Sequence, residues 1–184
     1  MNLQSTNGIT IAREEKYATR GDFCRLFAEE MSSLYRLSFL LTGDDVQAEQ
    51  CFVAALEDSL NGNQVFKQWA RSWARRMIVE NAIRIITPRA NRALGTAVAV
   101  HLELNGETGT VPNREESMEH VLALADFERF VFVMSVLERY SDQDCSVLLG
   151  YRVREIRDAR TRALQQIGEL SAMNPAADCT AAAS

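Results

Sequence analysis

The 184-residue chain has few of the residues on which several classes of protein depend. It contains three prolines, two histidines and four cysteines, and the cysteines, Cys24, Cys51, Cys145 and Cys179, lie far apart without a CxxC pair. This spacing favours neither a zinc site nor a disulfide framework. We expect no metal and no cofactor, and we expect the first three cysteines to be buried as small apolar side chains.

Catalytic motifs are also missing from the sequence. His101 and His120 are isolated, and there is no glycine-rich phosphate loop, no HExxH and no GxSxG. Nothing brings together an acid, a base and a nucleophile. We therefore expect a binding protein rather than an enzyme, with both histidines as solvent-facing or packing residues.

Long apolar runs are absent as well. No window approaches the roughly 18 apolar residues that a transmembrane helix needs, and the first twenty residues lack the apolar core of a signal peptide. These absences predict a cytoplasmic protein that does not contact a membrane.

The residues that are abundant favour an all-α protein with two small helical domains. Ala, Leu, Arg and Glu, all good helix formers, recur throughout. We predict domains at residues 22–86 and 118–170, with disordered tails at 1–21 and 171–184. Residues 87–117 hold two prolines and no helical stripe and are predicted to be a linker, although "TAVAVHLEL" within it alternates like a lone strand.

Three helices are predicted in the first domain. Apolar positions from Phe23 to Leu41 recur at intervals of three and four and predict a helix ending at Thr42-Gly43. Asp44 with Gln47 resembles a capping box for a second helix, which stops at Asn61-Gly62.

The third helix of this domain is "FKQWARSWARRMIVENAIRII", which Pro88 closes. Trp69 and Trp73 lie four positions apart and share a face. We expect both to pack in the core of a three-helix bundle rather than to stack on a ligand.

The second domain shows the pattern of a helix-turn-helix. A stripe from Phe127 to Leu137 predicts one helix, Ser141 with Asp144 caps a second, Gly150 ends it, and a third begins near Val153. On a helical wheel the buried side of that third helix holds Val153, Ile156, Ala163, Leu164, Ile167 and Leu170. The opposite side holds Arg154, Asp158, Thr161 and Gln165, with Arg157 at one margin.

Charge is segregated along the chain, whose formal net charge is -5. Residues 22–60 carry eight acidic side chains and two arginines, whereas residues 67–92 carry six arginines and one lysine against a single glutamate. Five more arginines lie within positions 152–162. One such run fits a solvated helix face, but two runs on predicted helices favour a polyanionic partner.

The ordered pair of units resembles a small bacterial sigma factor of the extracytoplasmic-function type. Residues 23–83 are similar to its region 2 and residues 122–167 to its region 4, which together cover more than half of the chain. The stretches that carry the resemblance are "LYRLSFLLTGDDVQAEQ", "FKQWARSWARRMIVENAI" and "SDQDCSVLLGYRVREIRDARTRAL".

The resemblance implies promoter recognition and transcription initiation with core RNA polymerase, without chemistry of its own. The residues that it assigns to promoter DNA are Arg71, Arg75 and Arg76 in region 2 and Arg154, Arg157, Asp158 and Thr161 in region 4. Those that it assigns to the polymerase are Glu49, Gln50, Val53 and Ala54. An anti-sigma factor is a further implied partner.

The chain departs from the family at three points. "QCFVAAL" stands where the family usually has Asp-Leu-Val-Gln-Glu, Arg152 replaces the Ser that usually caps the recognition helix, and Arg160 occupies an aliphatic position, where it would run along the apolar seam. A rival hypothesis follows from the first departure. The chain would keep a sigma-like fold but act through protein contacts, with "QCFVAAL" as an apolar patch.

Overall fold

A computed structural model describes residues 16–90 and 115–173 of the chain. Within these ranges the protein is all-helical, as predicted, and the only β pairing is a single bridge between Tyr17 and Phe66. The chain divides into two compact units between Thr87 and Pro88. The predicted strand in "TAVAVHLEL", together with His101, lies outside the described residues.

The N-terminal unit contains four α-helices in the described residues. They are α1 (Arg20–Glu29), α2 (Met31–Thr42), α3 (Asp45–Asn61) and α4 (Ala70–Ile86), with a 3-10 turn at Lys67–Trp69 before α4. The C-terminal unit contains four more: α5 (Glu115–Leu122), α6 (Asp126–Phe132), α7 (Asp142–Leu149) and α8 (Val153–Met173). A π-helical turn at Val133–Leu137 follows α6.

The first predicted helix is two helices, so the expectation of a three-helix bundle was wrong. The break falls at Glu30, whose backbone (φ -104°, ψ 15°) leaves the helical region. Met31, one of the apolar positions between Phe23 and Leu41 that we assigned to the buried stripe, is exposed. Phe27 and Met31 have helical spacing in the sequence. Because the helix is interrupted at one residue between them, Met31 does not lie on the buried side with Phe27.

Helix ends in this unit follow the local signals in the sequence. Gly43 adopts φ 73°, a left-handed conformation that costs glycine little, and ends α2. The Asp44 carboxylate accepts a hydrogen bond from the Gln47 N–H at 2.9 Å and starts α3. Gly62 follows α3, and a Cβ there would lie 2.7 Å from the carbonyl oxygen of Asp58, so a larger residue would displace backbone.

One boundary at the N-terminus differs from the predicted tail of residues 1–21. Helix α1 begins at Arg20, capped by a reciprocal pair in which Thr19 and Asp22 each bind the other's backbone N–H. Just before it, the N–H of Ala18 donates to the carbonyl of Val65 at 2.7 Å. The last residues of the predicted tail therefore pack on the segment that leads into α4.

Small side chains allow α3 and α4 to approach each other closely in the core. Ala48, Cys51 and Ala55 of α3, and Ala74 and Ala82 of α4, are fully buried. The Cys51 thiol donates to the carbonyl of Ile78 at 3.3 Å, and burial raises its pKa to about 11. Cys51 and Cys145 are buried as expected, whereas Cys24 is exposed.

The expectation that both tryptophans belong to the core was wrong for Trp69. It is 55% exposed, whereas Trp73 is half-buried against Phe23, Val65 and Ala70. The α-helix begins only at Ala70, so Trp69 lies in the 3-10 turn. A helical wheel drawn for an α-helix does not apply to a 3-10 helical turn, which has three residues per turn. Trp69 and Trp73 therefore do not share a face.

In the C-terminal unit the predicted helix from Phe127 to Leu137 does not keep its regular form. The N–H of Glu138 donates to the carbonyl of Val133, five positions back, at 2.9 Å. Phe127 and Met134 remain in the core, whereas Leu137 is exposed. The wider π-helical turn has rotated Leu137 away from the apolar side.

The two helices that follow begin and end where local chemistry predicts. Ser141 and Asp144 form the predicted capping box of α7, and Gly150 ends it with φ 74°. On α8, Ile156, Ala159 and Ala163 are fully buried, but Leu164 is 49% exposed, so its predicted place in the core was wrong. The alanines lie along the line where α8 comes closest to the neighbouring helices. Leu164 follows Ala163 by one position, or about 100° around the helix, and so lies away from that line.

Candidate nucleic-acid interface

Helix α8 follows α7 after a short turn that is held by side chains on both sides. The Ser146 hydroxyl donates to the carbonyl of Tyr151 at 2.5 Å, and the Tyr151 ring packs on Phe127 with centroids 4.6 Å apart. The N–H of Arg152 donates to the Glu155 carboxylate at 3.0 Å. A glutamate of the first turn thus accepts from the N–H of Arg152, the residue that stands where the family usually has a capping serine.

The outward face of α8 carries the side chains that the wheel placed there. The Arg154 side chain is 92% exposed, and Asp158, Thr161 and Gln165 are exposed with it. Arg154 and Asp158 approach to 3.9 Å, a long contact between exposed groups. The Thr161 hydroxyl donates to the carbonyl of Arg157 at 3.0 Å, so its proton is used within the helix and its oxygen can act towards a ligand only as an acceptor.

Most arginines of the basic run in α8 form ion pairs with neighbouring helices. Arg157 Nε and Arg160 Nη1 both reach Asp142, at 2.8 and 2.5 Å, and Arg162 Nη2 reaches Glu128 at 2.7 Å. Arg160 is only partly exposed, and its guanidinium ends on Asp142 of α7. These contacts attach α8 to α6 and α7, and they account for much of the arginine density.

We name the group formed by Asp142, Arg157 and Arg160 the Asp142 clamp. Each carboxylate oxygen of Asp142 accepts from a different arginine. The hydrogen bond from Arg157, and then the charge of Arg160, lower the pKa of Asp142 from its ordinary value. Asp142 was absent from our predicted site because nothing in the sequence pairs it with residues so far along the chain.

The three arginines predicted for DNA in the N-terminal unit also have partners. Arg71 pairs with Glu30, Arg75 Nη1 donates to the Ser33 hydroxyl at 3.1 Å, and Arg76 Nε pairs with Glu80 at 2.8 Å. Arg71 thus binds the residue at the break between α1 and α2, and Arg75 binds the first turn of α2. Arg71 and Arg76 remain well exposed, whereas Arg75 is half-buried.

Sequence reasoning missed a group of rings next to this basic helix, of which Trp69 is exposed and the other two are partly buried, and which we name the aromatic cluster. Tyr17 stacks on Phe66 with centroids 4.7 Å apart, and Trp69 meets Phe66 edge-on at 5.0 Å. The Lys16 ammonium lies 5.1 Å from the Phe66 centroid. The signal in the sequence was "FKQW", three residues after Asn61-Gly62, and the structure places its tryptophan before the α-helix instead of within it.

The residues predicted to bind polymerase lie on α3 and are mostly exposed. Glu49 and Gln50 face solvent, Val53 is 47% exposed and Ala54 is half-buried. Val46, seven positions before Val53 and so on the same face, is 63% exposed. We name Val46 and Val53 the α3 valine row, which lies between acidic side chains.

No protein-family model and no curated protein matches this sequence.

Among the helices of the described residues, none is both long enough and apolar enough to cross a membrane. Within residues 16–90 and 115–173, histidine, cysteine and acidic side chains do not gather into a group that could hold a metal ion. The Nδ1 atom of His120 lies 3.4 Å from the Ser171 hydroxyl oxygen.

Proposed function

We propose that this chain is a sigma-factor-like protein of the cytoplasm that recognises promoter DNA with core RNA polymerase. The observation that carries the proposal is the α7–turn–α8 arrangement, in which a capped helix and a left-handed Gly150 present α8 with Arg154 almost fully exposed. A helix presented in this way fits the major groove of duplex DNA.

Arg154 has the central role on this face. Within the described residues its guanidinium has a single, long ion-pair contact, to Asp158, so it can fork onto the two acceptors of a guanine at little cost. Asp158 would accept from a cytosine amino group, and Thr161 offers a methyl group for thymine. Arg152, exposed at the start of α8, would neutralise a phosphate.

The N-terminal unit would hold the strand that is separated when the promoter opens. Trp69 offers an exposed ring on which an unpaired base can stack, and Arg71 and Arg76 of the neighbouring helix offer exposed guanidinium groups for its phosphates. Arg75 is partly buried on Ser33 and contributes less.

Polymerase would bind the face of α3 that contains Glu49, Gln50, Val53 and Ala54. The α3 valine row supplies apolar area, and the acidic side chains around it suit a basic partner. An anti-sigma factor would compete for the same face. The valine row also favours the second candidate function, a helical protein that acts through this contact alone and does not read promoters.

One experiment separates the two functions. Purified chain is used to capture core RNA polymerase, and the captured complex is assayed for transcription from fragmented genomic DNA. Promoter-dependent transcripts support the first function, and capture without them supports the second.

The variant that tests the face is Val53→Asp, because a carboxylate placed in the valine row should abolish capture. Val147→Asp is the matched control, since Val147 of α7 is at least as exposed, at 70%. Equal loss of capture in both variants would exclude α3 as the binding face.

A further inference from the structure

The two arginines of the Asp142 clamp differ in how firmly the fold holds them. Arg160 has 33% of its side chain exposed and lies beside the buried line of α8, whereas Arg157 is 64% exposed. Water screens an exposed ion pair and makes it weak. Arg160 is therefore the fixed member of the clamp, and Arg157 is the member that another anion can remove.

Arg157 also lies at the edge of the face proposed to read DNA. Its backbone carbonyl accepts the Thr161 hydroxyl, and Arg154 lies one turn before it on the same helix. A DNA phosphate offers a guanidinium the same kind of charge-assisted acceptor that Asp142 offers. Exchange of Arg157 from Asp142 to a phosphate would thus replace one ion pair by another.

We propose that Asp142 is a positioning residue that retains Arg157 in the absence of DNA and competes with phosphate for it, which lowers the affinity of α8 for DNA of any sequence. The inference rests on the proposed function, since the competitor is a DNA phosphate. Arg160 keeps the carboxylate in place during the exchange. Contacts of Arg154 with bases are untouched, so the clamp weakens binding to all sequences alike and leaves base preference unchanged.

The test is a double-mutant cycle on the full chain with a short duplex of random sequence as the probe. Asp142→Asn keeps the shape of the side chain but removes the charge that holds Arg157. We expect affinity for the probe to rise roughly two- to fivefold, the size of an exposed ion pair. We expect the salt dependence to steepen by up to about 0.9 in log–log slope, the value of one added phosphate contact.

The same Asp142→Asn change in an Arg157→Gln background gives the control. If Asp142 acts through Arg157, the gain in affinity disappears there. An equal gain in both backgrounds would show only that a negative charge has been removed near DNA, and the inference would be overturned. Weaker binding by Asp142→Asn would also overturn it, because that is the result expected of a purely structural clamp.

A second measurement does not depend on how well the variants fold. In the unaltered chain, the Nε–H resonance of Arg157 should shift on addition of the duplex, while that of Arg160 should stay in place. A duplex that binds without moving Arg157 overturns the inference and leaves the proposed function standing. If the unaltered chain shows no salt-dependent binding to duplex DNA, the proposed function fails and the inference fails with it.

Discussion

The two basic helices, α4 and α8, carry similar numbers of arginines but present different chemistry to a ligand. On α8, three arginines are paired with acids on neighbouring helices, and Arg154 extends from the outward face with a long contact to Asp158 of the same helix. Beside α4 the exposed feature is an aromatic ring, Trp69, flanked by arginines that are themselves paired. The first surface suits the edges of paired bases, and the second suits the face of an unpaired one.

The difference shows why a basic run in a sequence is an ambiguous sign of nucleic-acid binding. On both α4 and α8 most guanidinium groups have a carboxylate partner within the fold, such as Asp58 for Arg84 or Glu128 for Arg162. The groups proposed as ligand contacts are those whose side chains stay exposed, including Arg71 and Arg76, which are themselves paired. The following predictions test whether the two surfaces differ as proposed.

The largest effect is expected on the buried side of α8. Ile156→Ala should lower the free energy of unfolding by about 2–5 kcal/mol, because Ile156 is fully buried and truncation leaves a cavity. Leu164→Ala on the same helix should cost less than about 0.5 kcal/mol, because that side chain is half-exposed. Chemical denaturation followed by circular dichroism measures both, and equal costs would contradict the assigned orientation of α8.

The next effect concerns duplex binding. Arg154→Ala should weaken binding to a preferred duplex by about 1–3 kcal/mol and relax the preference at one or two base positions, if the arginine forks onto guanine. Selection from a randomised duplex library measures both quantities. Arg162→Ala is the control, because Arg162 is tied to Glu128. Unchanged preference in Arg154→Ala would remove α8 from base reading.

Single-stranded DNA should distinguish the other unit. Trp69→Ala should weaken binding to a single strand by about 1 kcal/mol, the lower end of the range for one base stacked on an aromatic ring. Binding to duplex should not change, since unstacked bases are absent there. Trp69→Phe should restore most of the loss. Fluorescence anisotropy with both probes gives the comparison, and equal losses on the two probes would contradict a stacking role.

The smallest effect is a loss of stability in acid, expected in both units. The hydrogen bond from Asn81 lowers the pKa of Asp58, and that from Arg157 lowers the pKa of Asp142. A carboxylate with a lowered folded-state pKa stabilises the fold above its unfolded value of about 3.9, and this contribution is lost as the pH falls through the folded-state pKa. The destabilisation caused by Asp142→Asn should thus be present at neutral pH and shrink near about pH 3. Unfolding midpoints at the two pH values test this, and a constant difference would contradict it.

Much of the fold could be predicted because local interactions determine where helices begin and end. The capping box of Ser141 and Asp144 and the left-handed Gly150 involve residues within a few positions of one another. Three of the failures, at Glu30, Trp69 and Leu137, share a cause. In each case a break, a 3-10 turn or a π turn changes the rotation per residue, and a wheel drawn at a constant angle then assigns the wrong face.

The sequence by itself determined the all-helical class, most helix ends and the outward face of α8 at Arg154, Asp158 and Thr161, because these depend on spacing within one helix. Only the tertiary structure decided which arginines remain available to a ligand. Arg157 and Asp142 are 15 residues apart, and Arg162 and Glu128 are 34 residues apart, so each ion pair forms only when α8 packs on α7 and α6. The sequence specifies the charges, but which of them pair depends on the distances that packing creates. Coulomb attraction between side chains acts over a few ångströms in space, whatever their separation along the chain.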